Sequence, residues 1–407
     1  MRKLFQIALG IIAAVGGFVD IGELVFNAQA GAEFGYGLLW AVPVGVVGIA
    51  TYAEMCGRVA AVARRPVFDV VRMRMGFGVG LLTLVASQLL NLLTLAAEVG
   101  GVAIVLQLLF DVDLSLVVLA SALGLLAVIW FLPFPALERI FGYGGLLLLV
   151  FVAAAVHLDP DWHDLAAGFQ PRWEWSSLYA YFVVGVIAAA LTPYEVHFYS
   201  SGGVEEGWTP EEDLGVNRIN AILGFGLGGV LSVAIIAASA QVLNGIHVQP
   251  ETLGTTALVA ERSFGETGLL LALGGMLFAV GGAAIEVSLA GAYNLAQFAG
   301  WEWGKYRTPS GAPRFTLTWA IFIVLAFVVV VTGVDPVVLT EYAVVLSVVA
   351  LPFTYLPIVL IARDRTYMGE HANGPVSAFL GWLYLVVIVV LAIVAIPLLL
   401  ATNGGGG

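Results

Sequence analysis

Eleven apolar stretches, near residues 5–29, 36–57, 78–110, 114–132, 141–157, 178–201, 218–243, 267–299, 316–333, 337–362 and 376–401, follow one another with only short charged or Pro/Gly-rich breaks between them. A bilayer core is crossed by about 20 apolar residues of helix, so each stretch is long enough to span, and the pattern predicts an all-α polytopic membrane protein. Charged residues make up 11% of the chain, against roughly 25% in a soluble domain, and the mean hydropathy is +0.99. A water-soluble enzyme is excluded on those grounds, and no spacing typical of a catalytic motif is present. A net charge of −12 without a basic patch excludes a nucleic-acid partner. The single Cys56 excludes an internal disulfide and a cysteine-based zinc site. The first stretch carries Asp20 and Glu23 and so does not read as a cleaved signal peptide. Residues 1–403 read as one transmembrane domain, with Gly404–Gly407 as an appended tail outside it.

The basic residues fix an expected orientation. With a cytoplasmic N-terminus, the inner side collects fourteen of them, including Arg58, Arg65, Arg72, Arg139, Lys305 and Arg363, and the outer side only Arg172 and Arg262. That asymmetry satisfies the positive-inside rule and supports the count of eleven independently of hydropathy. The expectation is a multi-pass plasma-membrane protein whose C-terminus lies outside. Trp162, Trp173, Trp175 and Trp208, in the two longest loops, read as interfacial anchors.

Carboxylates at membrane depth cost about 2.5–3.5 kcal/mol each on insertion scales, so they are functional candidates by default. The first stretch contains Asp20-Ile21-Gly22-Glu23, whose carboxylates would share a face in an unbroken helix. The sixth contains Ala189-Ala190-Leu191-Thr192-Pro193-Tyr194-Glu195-Val196-His197, where Pro193 removes a backbone donor mid-span. Two interruptions five spans apart are the sequence mark of a substrate site in a transporter built from inverted repeats. The repeats would cover about 5–157 and 178–362, with 376–401 as an extra helix. The third stretch adds a helical stripe of Gln88, Asn91, Thr94 and Glu98, and the eighth adds Glu286 with Tyr293 and Gln297. Five carboxylates on four spans argue for a shared polar cavity. Glu98 reads equally as ligand or network residue, Glu286 as packing or pathway, His197 as an interior hydrogen-bonding group, and Glu54 with Arg58 as an i,i+4 ion pair.

At these residues the sequence resembles the natural resistance-associated macrophage protein (Nramp) family of divalent metal transporters. That family's first-helix Asp-Pro-Gly-Asn is similar to Asp20-Ile21-Gly22-Glu23, and its following segment to Phe34-Gly35-Tyr36-Gly37-Leu38-Leu39-Trp40. Its Leu-Ala-Glu-x-x-Gly pattern resembles Ala96-Ala97-Glu98-Val99-Gly100-Gly101, and its tenth helix and loop resemble Leu351-Pro352-Phe353 through Asp364-Arg365-Thr366-Tyr367-Met368-Gly369-Glu370. The resemblance implies the LeuT-type fold, two inverted five-helix repeats plus an eleventh helix.

The expected substrate site departs from the family pattern. The family's first-helix asparagine is Glu23, its sixth-helix Met-Pro-His is Thr192-Pro193-Tyr194, and a second family histidine is Tyr199. A third-helix aspartate corresponds to Leu95 and a tenth-helix glutamine to Ala350. A thioether favours softer ions, whereas Mg²⁺ prefers carboxylates, carbonyls and retained water, so these changes harden the site. The altered pattern is similar to the magnesium-transporting Nramp relatives, and Thr192 is shared with the aluminium-transporting relatives of plants. The resulting expectation is a monomeric secondary transporter of hard cations, Mg²⁺ first and Mn²⁺ tolerated, surrounded by lipid, with weak or absent H⁺ coupling and no cofactor. Asp20, Glu23, Glu195, Thr192 and the carbonyls of Ala189 and Ile21 would be ligands. Gly22, Glu98, Pro193, Tyr194, His197, Tyr199, Glu286 and Tyr355 would line the pathway or a proton network. The alternative is a small organic cation held by Glu23 and Glu195 against Tyr194, Tyr199 and Tyr355.

Overall fold

The computed structural model describes residues 19–172, 174–246 and 253–405. Among them ten helices are long and apolar enough to cross a membrane, and they coincide with the ten stretches predicted between residues 36 and 401. The eleventh, the predicted 5–29, lies outside the described residues up to 18 and continues as α1 (Ile21–Phe34). The others are α2 (Ala41–Ala63), α3 (Val67–Phe110), α4 (Leu114–Phe131), the α5 (Phe134–Gly145) and α6 (Leu149–His157) pair, the short surface α7 (Trp162–Ala167), α8 (Ser177–Ala189) and α9 (Pro193–Glu205). Then follow α10 (Pro210–Val242), α11 (Leu253–Ala299), α12 (Pro313–Val331), α13 (Pro336–Arg363), the short α14 (Arg365–Met368) and α15 (Pro375–Ala401). Trp162 and Trp175 are exposed, and Trp208 packs edge-on against Tyr199 at 5.4 Å. Trp173 lies outside the described residues.

Several helices begin earlier than their hydropathy predicts, and the two with the largest advance contain a bend. α3 starts at Val67 and α11 at Leu253, and each contains one glycine with non-helical backbone, Gly76 at φ +82° and Gly265 at φ +62°. A positive φ is costly for residues with a Cβ, so glycine permits both bends. The two bends fall in the third span of each half, as a repeated architecture requires.

Helix packing depends on close backbone approach, as is usual where lipid removes the hydrophobic drive between helices. A Cβ on Gly31 of α1 would lie 2.3 Å from the Ile236 carbonyl of α10, and one on Gly101 of α3 would lie 2.7 Å from the Ile21 side chain. Outward-facing residues such as Phe131, Val386, Ile393 and Leu400 are exposed apolar groups that suit a lipid surface. Towards one end of the helix bundle the nearly buried Arg58 of α2 donates to both Glu54 oxygens (3.0 Å each), to the His371 carbonyl and Asn373 Oδ1 (2.7 Å each), and to Ser377 (3.2 Å). The expected i,i+4 pair is therefore the core of a clamp fastening α2 to the segment before α15.

Candidate functional site

Asp20 is the N-cap of α1, with extended backbone (φ −90°, ψ −177°), and its Oδ1 accepts the Glu23 N–H at 2.9 Å. Capping residues of this kind satisfy donors that a helix start leaves free. Gly22 makes room for that fold-back, since a Cβ there would lie 3.0 Å from Asp20 Oδ1. The second break runs from the end of α8 at Ala189 to Pro193 at the start of α9, with Thr192 extended between them. Pro193 occupies the first turn, where its missing N–H costs nothing. The last carbonyls of α8 and the first amides of α9 thus meet at one depth.

A small cavity of about 20 Å³ lies where the breaks face each other, lined by Asp20, Asn91, Glu98, Ala189, Thr192 and Tyr194, with Ser347 of α13 closing one side. Tyr194 donates its hydroxyl to Asp20 Oδ2 at 3.2 Å, and the Ile21 N–H donates to Glu98 Oε1 at 3.2 Å. Glu98 Oε2, both Glu195 oxygens and the Thr192 hydroxyl are buried with no hydrogen-bond partner. Buried polar groups are nearly always paired, so this concentration of vacant oxygens marks a place for a cation, water or both. Among the described residues no lysine or arginine lines the cavity.

The remaining expected residues divide. Asp20 and Glu23 do not share a face, because the helix begins only at Ile21 and Asp20 is turned back as a cap. Glu23 is instead held away from the cavity, accepting from Asn27 and from Ser232 of α10. Glu195 lies in the first turn of α9 and is not among the residues that line the cavity. Tyr199 lies outside the cavity lining, donating to Asn217 Oδ1 at 3.0 Å. Tyr355 stacks edge-on against Tyr52 at 4.2 Å and donates to the Thr192 carbonyl at 3.4 Å, while Tyr52 donates to the Gly381 carbonyl of α15. Only Tyr194 of the three tyrosines lines the cavity. His197 pairs with Asn294 at 3.3 Å and lies edge-on to Phe68. Glu286 belongs to a second cavity of about 70 Å³ with Glu138 and the buried Lys305, whose ammonium lies 4.1 Å above the Phe134 ring. Asn91 and Thr94 line the central cavity through the polar stripe already legible on α3. Thr340 joins Ser347 there, a seven-residue spacing on α13 that supplied the overlooked signal. Outside the membrane, the Thr366 N–H and the Arg74 guanidinium hold Asp364 below the usual carboxylate range, and Arg74 pairs with it at 2.6 Å.

Paired broken helices around a buried acidic cavity, in two five-helix halves with an eleventh helix, define a LeuT-type membrane transporter rather than an enzyme. The sequence profile described as natural resistance-associated macrophage protein-like matches residues 10–397, and the chain belongs to that family. It is 25% identical over 400 residues to the divalent metal cation transporter MntH of Deinococcus radiodurans, covering 94% of this chain and 87% of that one. Against MntH of Mycobacterium leprae it is 26% identical over 403 residues, covering 95% and 90%. In fold it is similar to the Eremococcus coleocola manganese transporter, with a TM-score of 0.81 at 18% identity over 99% of this chain and 93% of the other. It is also similar to Mhp1, a nucleobase-cation-symport-1 family transporter, with a TM-score of 0.60 at 18% identity over 98% and 89%.

Proposed function

We propose that the chain is a secondary transporter of hard divalent metal cations, with Mg²⁺ preferred and Mn²⁺ tolerated, working by alternating access with weak or absent H⁺ coupling. The observation that carries this reading is the donor set: every polar side chain lining the cavity presents oxygen, from Asp20, Glu98, Asn91, Thr94, Thr192, Tyr194, Thr340 and Ser347, with no sulfur and no imidazole. Oxygen-only sites suit Mg²⁺ and Mn²⁺, whereas a soft ligand is needed to favour Cd²⁺. Asp20 and Glu98 supply charge, Thr192 and the Ala189 and Ile21 carbonyls supply neutral oxygens, and Glu195 and Glu23 hold negative potential behind them. His197 and Glu286 lie along the inner pathway. In this reading the repeats cover about 5–157 and 178–362, helix 376–401 is additional, and the protein is a monomer with its N-terminus cytoplasmic and C-terminus outside. MntH relatives, named as divalent metal cation transporters, support metal as cargo. A small organic cation is disfavoured by a cavity with room for about one water, and by the separation of Tyr199 and Tyr355 from Tyr194.

The test is ion uptake into proteoliposomes with Mg²⁺, Mn²⁺ and Cd²⁺, repeated on Glu23→Asn/Thr192→Met. Saturable Mg²⁺ and Mn²⁺ uptake with little Cd²⁺ is expected. Absence of Mg²⁺ and Mn²⁺ uptake in both proteins would reject the proposal.

A further inference from the structure

A second group of vacant buried oxygens leads away from the cavity towards the face that carries Arg65 and Arg72. α3 and α11 run antiparallel and touch along this line: the Gln88 amide donates to the Gly291 carbonyl at 2.9 Å, and the Asn91 amide, in the orientation that satisfies both its ends, bridges the Ser87 carbonyl and the Gly291 N–H at 3.2 Å each. α9 closes the third side, where the Gln297 amide donates to Ser201 Oγ at 2.8 Å and Asn294 meets His197. Each amide nitrogen is thus spent within the protein. Ser87 Oγ, Gln88 Oε1, Asn294 Oδ1 and Gln297 Oε1 are left buried with no partner. Ser87, Asn294 and Gln297 are no more than 3% exposed.

We propose that this α3–α9–α11 seam is a water conduit, joining the back of the central cavity to the inner surface. Its upper end is Asn91, a wall of the central cavity. Its lower end is Gln297, which lines an open basin of about 550 Å³ with Arg65, Asp69 and Arg72. From Gly291 to Gln297 the rise is about 9 Å along the helix, which a file of about three waters covers. Three amide oxygens that only accept, with one serine hydroxyl that both donates and accepts, are matched by water, which donates two hydrogen bonds, accepts others and bridges neighbouring groups. The row carries no carboxylate below Glu98, so it offers water neutral oxygens and gives a divalent cation no charged ligand. A cavity that holds about one water must exchange shell waters with an ion that retains several, and the seam supplies that exchange. This assignment goes beyond the proposed cargo and is readable without transport.

The experiment measures the rate at which a small neutral thiosulfonate modifies single introduced cysteines. The reaction needs the thiolate, which forms only where water reaches the sulfur. The native Cys56 is buried, so the parent chain gives the background. Ser87→Cys and Ser201→Cys should react at least about tenfold faster than Ser121→Cys, an equally buried serine on α4 whose hydroxyl donates to Val117. Asn294→Leu should then slow Ser87→Cys while leaving Ser201→Cys, nearer the basin, unchanged. Size-exclusion chromatography confirms folding, with Gln88→Leu as the blocking variant if Asn294→Leu does not fold. Equal rates for Ser87→Cys and Ser121→Cys overturn the conduit. So does an Ser87→Cys rate indifferent to the blocking substitution, since its water would then come from the cavity side.

Discussion

The Tyr194 hydroxyl donates to Asp20 Oδ2 at 3.2 Å, joining the first turn of α9 to the cap of α1 across 174 residues. The two interrupted helices, one from each repeat, are therefore fastened at the carboxylate proposed to receive the ion. A cation bound by Asp20 competes with that hydroxyl. Asp20→Asn should weaken Mg²⁺ binding by about 100-fold or more by isothermal titration, because a charged oxygen is lost. Tyr194→Phe should change it by less than about tenfold, the scale of one hydrogen bond to a charged group.

Thr192 provides the selectivity test. Thr192→Met places a thioether beside Glu195 and should raise Cd²⁺ affinity relative to Mg²⁺ by about tenfold or more, read in competition uptake. An unchanged Cd²⁺/Mg²⁺ ratio would remove Thr192 from the site.

Glu98 has two separable roles. Glu98→Gln keeps an acceptor for the Ile21 N–H, so it should lower ion affinity while leaving the melting temperature nearly unaltered. Glu98→Ala abandons that buried N–H and should cost a further ~1–3 kcal/mol of stability in thermal unfolding.

The Arg58 clamp should matter to stability and little to binding. Arg58→Met leaves Glu54 nearly buried without its partner and should destabilise by ~3–5 kcal/mol, seen as a lowered melting temperature with unchanged Mg²⁺ affinity. Arg58→Lys should not restore stability, since an ammonium cannot reproduce five donors fixed in a plane.

Asp364 sets an acid limit at the C-terminal end of α13, where it pairs with Arg74. Its carboxyl is held below the ordinary value, so the contribution of the Arg74 pair is complete above that ordinary value and is lost only as pH falls through the lowered one. Asp364→Asn should accordingly shift the melting temperature by the same small amount at pH 7 and pH 5, as expected of an exposed pair.

Much of this architecture is legible in the residues. Proline in the sixth stretch locates one break, and the periodic Asn91, Thr94 and Glu98 announce a wall of the cavity before any coordinates. The position of Glu23 is not legible, because spacing arguments assume a continuous helix and the chain becomes helical only after Asp20. That Tyr199 and Tyr355 stand outside the cavity lining is illegible for a related reason: sequence gives the face of a helix but not which neighbour stands opposite. The early starts of α3 and α11 escape hydropathy since Gly76 and Gly265 bend the chain without interrupting its hydrogen-bonded run.

The relay from the Thr192 carbonyl through Tyr355 and Tyr52 to Gly381 ends on α15, whose other side exposes Val386, Ile393 and Leu400. A helix outside both repeats is thereby mechanically tied to the unwound segment between α8 and α9. Displacing that segment tugs on a surface wetted by acyl chains, so bilayer thickness and lateral pressure enter the energy of the transport cycle alongside the ion itself.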